Sequence, residues 1–588
     1  MWSLFVALRL VLAFIVASYA QDQVDDSLLT FKSRPDLYPP KLSVNISENG
    51  VTPGYIFMAP YQSLQNTAAI YDIDGTLVWY GYGVTGTGGN IHDFRVCSYN
   101  GTDHLCFFNG EQYSGYSRGQ AVIMDTHLRQ VRTVTSQNGL SAIDQHEFNI
   151  INDTAITVIY HPERYDLSAF NVTAGEGWIQ NSIFQDTNLT TGELVFEWSA
   201  VEHVAISEGY VSPNQSEVAG TGFDARSPWD YFHINSVDKN GDGDYLVSAR
   251  HVSALYKISG EDGHVIWRCG GKFSDFELLD GLNWSYQHDA RWLSQNASTD
   301  IISFFDNASN GFNQSASHSA GYIIKLDHTA DPPTVSLLQS YPAPEDIPIS
   351  ASQGNIQILK PGNWANSNTF IGWGSQPYVT EHDSRGNVVY RANIAANGKM
   401  NYRAFKFNIT LSPMDSPALY TYALDANANT VYYMSWNGAT EVRSWRVYGR
   451  SGCTDQWRLI NEVPKSDFET TYTVLGYQEF GMVEAVAENG TGIRNSTNRG
   501  IKAFVPSSSL TNNCTVNGCN VVSGYGINTG QEVVAAETRS GCAALPVSTT
   551  PNSTTGSQTA NKAIDLQPGI WSTASIVVFS SLLVSAIL

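Results

Sequence analysis

The chain has 588 residues, 42% hydrophobic and 15% charged, and Asp plus Glu outnumber Lys plus Arg by 55 to 33, for a net charge of −22. That balance leaves no basic footprint, which argues against a nucleic-acid partner, and it disfavours long-range steering of an anionic substrate, so any anion site must be built locally. Abundant Tyr, Trp and Gly with many β-branched runs point to an all-β class, and roughly 525 residues between leader and stalk are too many for one sandwich.

In chain order, residues 1–20 form an apolar run with small residues at Ser18 and Ala20, the pattern of a secretory signal peptide cut after Ala20. Residues 21–546 follow as a β-rich body with its core at about 59–504. Ile70–Tyr80 is a hairpin about a polar turn, with no full unit before it. A motif then recurs: His92-Asp93-Phe94-Arg95, His146-Glu147-Phe148-Asn149, His233-Ile234-Asn235 and His288-Asp289-Ala290-Arg291, each followed by an apolar strand and an outer hairpin. A weaker copy starts at Gln353-Gly354-Asn355, and a sixth runs from Tyr402 to Gly449. Four short strands per unit predict a six-bladed β-propeller with four-stranded antiparallel blades. The orphan hairpin predicts that N-terminal strands complete the final blade and close the ring. Residues 468–504 either add strands to that blade or form a small appended β-unit.

Residues 547–561 are a Ser/Thr-rich stalk, and residues 562–588 carry a hydrophobic tail without a basic flank. The tail reads as a GPI-attachment signal, with a retained membrane helix as the alternative. About fifteen Asn-x-Ser/Thr sequons predict N-linked glycans. Together these place the protein in the secretory pathway, on the extracellular face of the plasma membrane or cell wall. Cys97 and Cys106 are spaced to staple a hairpin, Cys453, Cys514, Cys519 and Cys542 to form two bridges, and Cys269 is left over. The cysteines lack zinc-site spacing, and no metal or cofactor is expected.

The densest polar pattern lies in residues 230–271. His233 and Asn235, two apart, are expected on one face of a strand, and Arg250 ends the next strand, folded back by the turn at Asn240–Gly243. The motif histidines His92, His146, His233 and His288 should line one end of the central channel. Any one of them can be purely structural; the set with Arg250 and Asn235 points to an anion site, because buried donors need a partner. Phe232, Trp284, Tyr286 and Trp292 are candidates for an aromatic channel mouth, with blade packing the alternative. Asp238–Asp244 starts like a calcium loop, but Ala249 stands where a bidentate Glu belongs, so a β-turn is the better reading. The insertion at 161–229, with sequons at Asn171, Asn188 and Asn214, is placed to cover the channel mouth.

The motifs DYFHINSV (230–237), LVSAR (246–250), QHDAR (287–291) and DQHEF (144–148) resemble those of the arylsulfotransferase family, in its eukaryotic secreted branch. The resemblance spans about residues 59–500. It implies a six-bladed propeller that transfers a sulfuryl group from a small aryl sulfate donor to a phenolic acceptor, independently of a nucleotide donor. It places the transiently sulfurylated residue at His288, supported by His146, His233, Asn235 and Arg250. The competing expectation is a non-catalytic cell-surface propeller binding glycan or protein partners.

Overall fold

The computed structural model describes residues 26–519 apart from 86–89, 171, 173–175, 214–218, 396–398 and 509–510; the expected leader, stalk and tail lie outside the described residues. Among the described residues no helix is long and apolar enough to cross a membrane. The fold is almost entirely β, as composition predicts. Units of four consecutive antiparallel strands span residues 90–134, 143–199, 234–270, 288–342 and 355–394. A further unit comprises Tyr55–Met58, Ala69–Tyr71 and Leu77–Tyr80, and its inner edge is supplied by Phe405–Phe407 from the far end of the series. The orphan hairpin therefore finds its missing strand late in the chain.

The repeat predicted from Tyr402 to Gly449 is not a unit. Only Phe405–Phe407 joins the series; Ala418–Tyr422, Thr430–Ser435 and Glu469–Val474 form their own three-stranded sheet. Val442–Arg450 pairs instead with Arg458–Pro464 and Phe480–Ala487. The core expected over 59–504 thus ends its repeating part near residue 407, and the rest is an appended β-unit. Alternating apolar residues mark any antiparallel hairpin, so the pattern of Ala418–Ser435 could not show which sheet it joins.

Neighbouring units are stitched at their inner strands, where a side chain from one accepts a backbone N–H from the next. Phe148 donates to Asp93 (3.4 Å), Val237 to Glu147 (3.1 Å), Ala290 to Ser236 (2.9 Å), Ile356 to Asp289 (3.3 Å) and Ala404 to Asn355 (2.9 Å). The Phe57 and Phe94 rings, 5.4 Å apart, join the unit with the late strand to the one after it. Apolar faces meet behind these contacts: Tyr160, Ile179 and Phe184 pack with Phe232, Val247 and Tyr256. Each such side chain, fully buried, contributes about 1.5–3 kcal/mol.

The motif itself breaks regular pairing. Register shifts occur at His92/Arg95, Ile143/Phe148, Ile234/Ser236 and His288/Arg291, and Asp93, His233 and Asp289 have φ of 54°, 57° and 57°. A bulge of this kind re-aims side chains at a strand end, which is where the histidines stand.

Cys97–Cys106 and Cys514–Cys519 form disulfides, and Cys453 is also disulfide-bonded. Cys269 is free and buried, as expected, and burial pushes its thiol pKa up. The sequon asparagine Asn307 is fully buried and hydrogen-bonded, so it is no glycan acceptor in the folded chain.

Candidate active site at the histidine end

The acidic residues after the motif histidines build the floor of the site. Asp93, Glu147 and Asp289 share a buried ionic lattice with Arg95, Arg291 and Arg403. Arg403, fully buried, reaches Asp93 (3.1 Å) and Glu147 (3.3 Å) and donates to the backbone carbonyls of His146 (3.0 Å) and Asn235 (2.8 Å). Burial alone would raise the Glu147 carboxyl, but Arg291, Arg403 and Arg95 hold it down at about 2. Three acids against three guanidiniums leave this lattice balanced and rigid, and it fixes the backbone from which the histidines project.

His146, His233 and His288 are all buried. The imidazoles of His146 and His233 lie 4.7 Å apart, and each holds a carboxylate at Nδ1: Asp144 for His146, and Asp230 at 2.5 Å for His233. His288 Nδ1–H donates to Asn307 Oδ1 (2.6 Å) and to the Tyr286 carbonyl (3.1 Å). Its Nε2 therefore carries the lone pair and accepts the Gln353 N–H at 3.2 Å. Burial, reinforced by Arg250, drives the His288 pKa well below 6.5, so the ring is neutral; burial does the same to His233. Burial also raises the Asp230 carboxyl to about 6.

Arg250, one residue past the strand Tyr245–Ala249, is buried and donates to His251 Nε2 (2.7 Å) and to the Ala351 carbonyl (3.0 Å). Its guanidinium lies 5.5 Å from the centre of the Tyr286 ring. Among the described residues no salt bridge pairs it with a carboxylate, unlike Arg95, Arg291 and Arg403. Burial lowers its pKa from 12.5.

One expectation changes. His233 precedes its strand in a left-handed conformation, and the bulge after it breaks the alternation that would put Asn235 on the same face. The Asn235 amide instead donates to the Gln287 carbonyl (2.6 Å), bracing the strand that leads into His288. His92 is fully buried, walled by the rings of Tyr61 (5.0 Å) and Tyr402 (5.9 Å), with Tyr402 also 5.5 Å from His146. A further imidazole, His251, lies 4.5 Å from His233. Reading Arg250 as a strand residue hid it, because successive strand residues point apart; the turn after Ala249 brings both to one place.

Asn307 was also missed, since nothing in DIISFFDN distinguishes it from a loop asparagine. The ligating atoms of Asp230, His233 and His251 lie within 4.8 Å of one another. Arg250 and the Asp230 carbonyl engage both His251 nitrogens, so hydrogen bonds account for this grouping beside a guanidinium. Asn240 Oδ1 accepts the N–H groups of Asp242 and Asp244, in keeping with the β-turn reading. Of the aromatic candidates, Tyr286 lies beside Arg250, and Trp284 with Tyr286 lines a cavity of about 290 Å³. Phe232 packs in the core on Tyr256, and Trp292 lines a different cavity with Asp238 and Arg291.

An all-β chain with buried imidazoles grouped beside a buried guanidinium that no salt bridge among the described residues neutralises has the makings of a histidine-centred group-transfer site. The chain belongs to the arylsulfotransferase (ASST) family, whose model matches residues 95–395 and so includes every one of the motif residues from His146 to Arg291. It is arylsulfotransferase-like, and the appended β-unit falls outside the matched region. No curated relative matches the chain. Solved structures share only a distant likeness. They include a protein of unknown function from Bacteroides caccae (14% identity, 61% of this chain and 100% of that one, TM-score 0.33). A protein from Lactobacillus plantarum (10%, 72% and 100%, 0.29) and Kuenenia stuttgartiensis hydrazine synthase (12%, 62% and 80%, 0.28) are similarly remote.

Proposed function

We propose that the six units are the blades of a β-propeller whose histidine end moves a sulfuryl group from an aryl sulfate to a phenolic acceptor through a sulfohistidine at His288. The observation that carries this reading is Arg250, a buried guanidinium that no salt bridge among the described residues ties to a carboxylate, beside the neutral imidazoles of His288 and His233, which is the electrostatic counterpart of a bound sulfuryl group.

His288 Nε2 attacks sulfur as the S–O(aryl) bond breaks, and the departing phenolate takes up a proton from solvent. The phenolic acceptor then gives its proton to His233 or His146, attacks sulfur and breaks the S–N bond, restoring His288. Asp230 and Asp144 at the Nδ1 positions steady the imidazolium so formed, which returns its proton to solvent. Arg250 faces the charge that spreads over the sulfuryl oxygens, and the Gln353 amide, released from Nε2 on attack, is a second donor for them. Asn235 acts from behind, through Gln287. No nucleotide donor or cofactor enters this scheme. The leader, sequons and tail support a glycosylated enzyme of the eukaryotic secreted branch, lipid-anchored on the extracellular face.

The test is transfer from 4-nitrophenyl sulfate to a phenol by wild type and His288→Ala, with mass spectrometry of the acid-labile adduct. Turnover and an adduct on His288, both lost in the variant, are expected; no turnover and no adduct would leave the binding-scaffold reading in possession.

A further inference from the structure

A further cavity, of about 210 Å³, reaches Asp230, whose carboxylate also binds His233. Tyr113, Tyr116, Gln180, Arg226 and Asp230 are among its lining residues. Its volume compares with the roughly 150 Å³ that encloses a benzene ring, so it holds one aryl ring with small substituents.

Three features mark it as a built site. Gln180 is buried, yet among the described residues neither its amide nitrogen nor its amide oxygen has a hydrogen-bond partner. Asp230 binds His233 through Oδ2, while its Oδ1 is buried without a partner among the described residues. Buried polar atoms of this kind are rare in folded proteins unless water or a ligand meets them. A series of aromatic rings also links the cavity to the imidazoles. Tyr113, exposed, stacks on Tyr116 (5.2 Å, 14°), Tyr116 stacks on Tyr160 (6.4 Å, 18°), and Tyr160 lies 5.5 Å from His233.

We infer that this cavity is the acceptor subsite and that it selects a phenol carrying a second hydroxyl group on the ring, a catechol-type acceptor. The inference rests on the sulfuryl-transfer reading for the word acceptor. One hydroxyl would stand at His233, which takes its proton. The other donates to Asp230 Oδ1 or accepts from the Gln180 amide, while the ring lies along the tyrosines. A plain phenol leaves Gln180 unmet, and a site built to hydrogen-bond a hydroxyl discriminates against the analogue lacking it.

The experiment compares catechol, phenol and 2-methoxyphenol as acceptors for wild type and Gln180→Leu, and measures catechol binding calorimetrically without donor to wild type, His288→Ala and Gln180→Leu. Wild type should prefer catechol to phenol by about tenfold or more in kcat/KM, and Gln180→Leu should shrink that ratio towards one. Binding of catechol should survive in His288→Ala and weaken at least about tenfold in Gln180→Leu. Sulfuryl transfer with no catechol preference, or a preference that Gln180→Leu leaves intact, overturns the subsite and spares the transfer reading. Gln180-dependent catechol binding without any sulfuryl transfer does the reverse.

Discussion

His288 and Asn307 are joined by a 2.6 Å hydrogen bond whose direction is fixed from both sides. The Asn307 amide nitrogen donates to the carbonyls of Ser350 and Gln353, both at 2.9 Å, so its oxygen must face the imidazole. Nδ1 is thereby held protonated, and the lone pair is kept on Nε2. Asn307→Leu should let the ring adopt either tautomer and leave Nδ1–H with only the longer bond to Tyr286. A fall in kcat of about 10²-fold or more is expected, smaller than the loss in His288→Ala, with KM little changed. Steady-state kinetics with 4-nitrophenyl sulfate check it, and an unchanged kcat would remove Asn307 from the mechanism.

Arg250 should govern both anion binding and rate. Replacing it by alanine removes a donor to the transferring group, which typically costs about 3–4 kcal/mol of transition-state stabilisation, or between 10² and 10³ in kcat. Arg250→Lys keeps the charge but loses the planar fork and should recover only part of the rate. Inorganic sulfate at about 100 times its Kd should stabilise wild type by about 2.7 kcal/mol and leave Arg250→Ala unmoved. Thermal unfolding with and without sulfate measures this; equal shifts in both proteins would place the anion elsewhere.

The repeat motif was legible because it combines a histidine with an acid or a small polar residue that must reach the next strand. Those residues fix the units and named His146, His233 and His288 before any contact was known. Arg403 was not legible: Tyr402-Arg403 follows no motif histidine, and its importance lies in five polar contacts with residues more than 100 positions away. His251 was missed and Asn235 misread for one physical reason. Period-two reasoning assumes a regular strand, and the bulge at Ile234/Ser236 and the turn after Ala249 both break it at the site.

Arg403 should matter for folding more than for chemistry. Arg403→Met keeps the volume but leaves Asp93, Glu147 and Asp289 sharing two guanidiniums in a buried place. Removing one partner from a buried ionic group typically costs about 3–5 kcal/mol. Urea unfolding should report a loss of that size, and Arg403→Lys should lie between, because an ammonium cannot reach two carboxylates and two carbonyls at once. A loss below about 1 kcal/mol would mean the lattice is wetter or more adaptable than its burial implies.

His92 offers the cleanest test of the buried imidazoles, because neither ring nitrogen has a hydrogen-bond partner among the described residues and its pKa is lowered by burial to about 3. In the unfolded chain it titrates near 6.5. Below that pH the unfolded state takes up a proton that the folded state does not, so stability falls as pH drops from 6.5 towards 3, by up to about 1.4 kcal/mol per pH unit for this group. Asp230, raised to about 6, works the other way between pH 6 and 3.8, where the folded state takes up the proton first. His92→Phe fits the aromatic wall of Tyr61, Phe108 and Tyr402 and removes the titration. It should leave stability at pH 7 unchanged or raised by about 1–2 kcal/mol, since two buried unmet polar atoms are gone. Its stability curve between pH 6.5 and 4 should be shallower than wild type by about one proton. Parallel curves across that window would mean that His92 is protonated in the fold, with a partner reached by water.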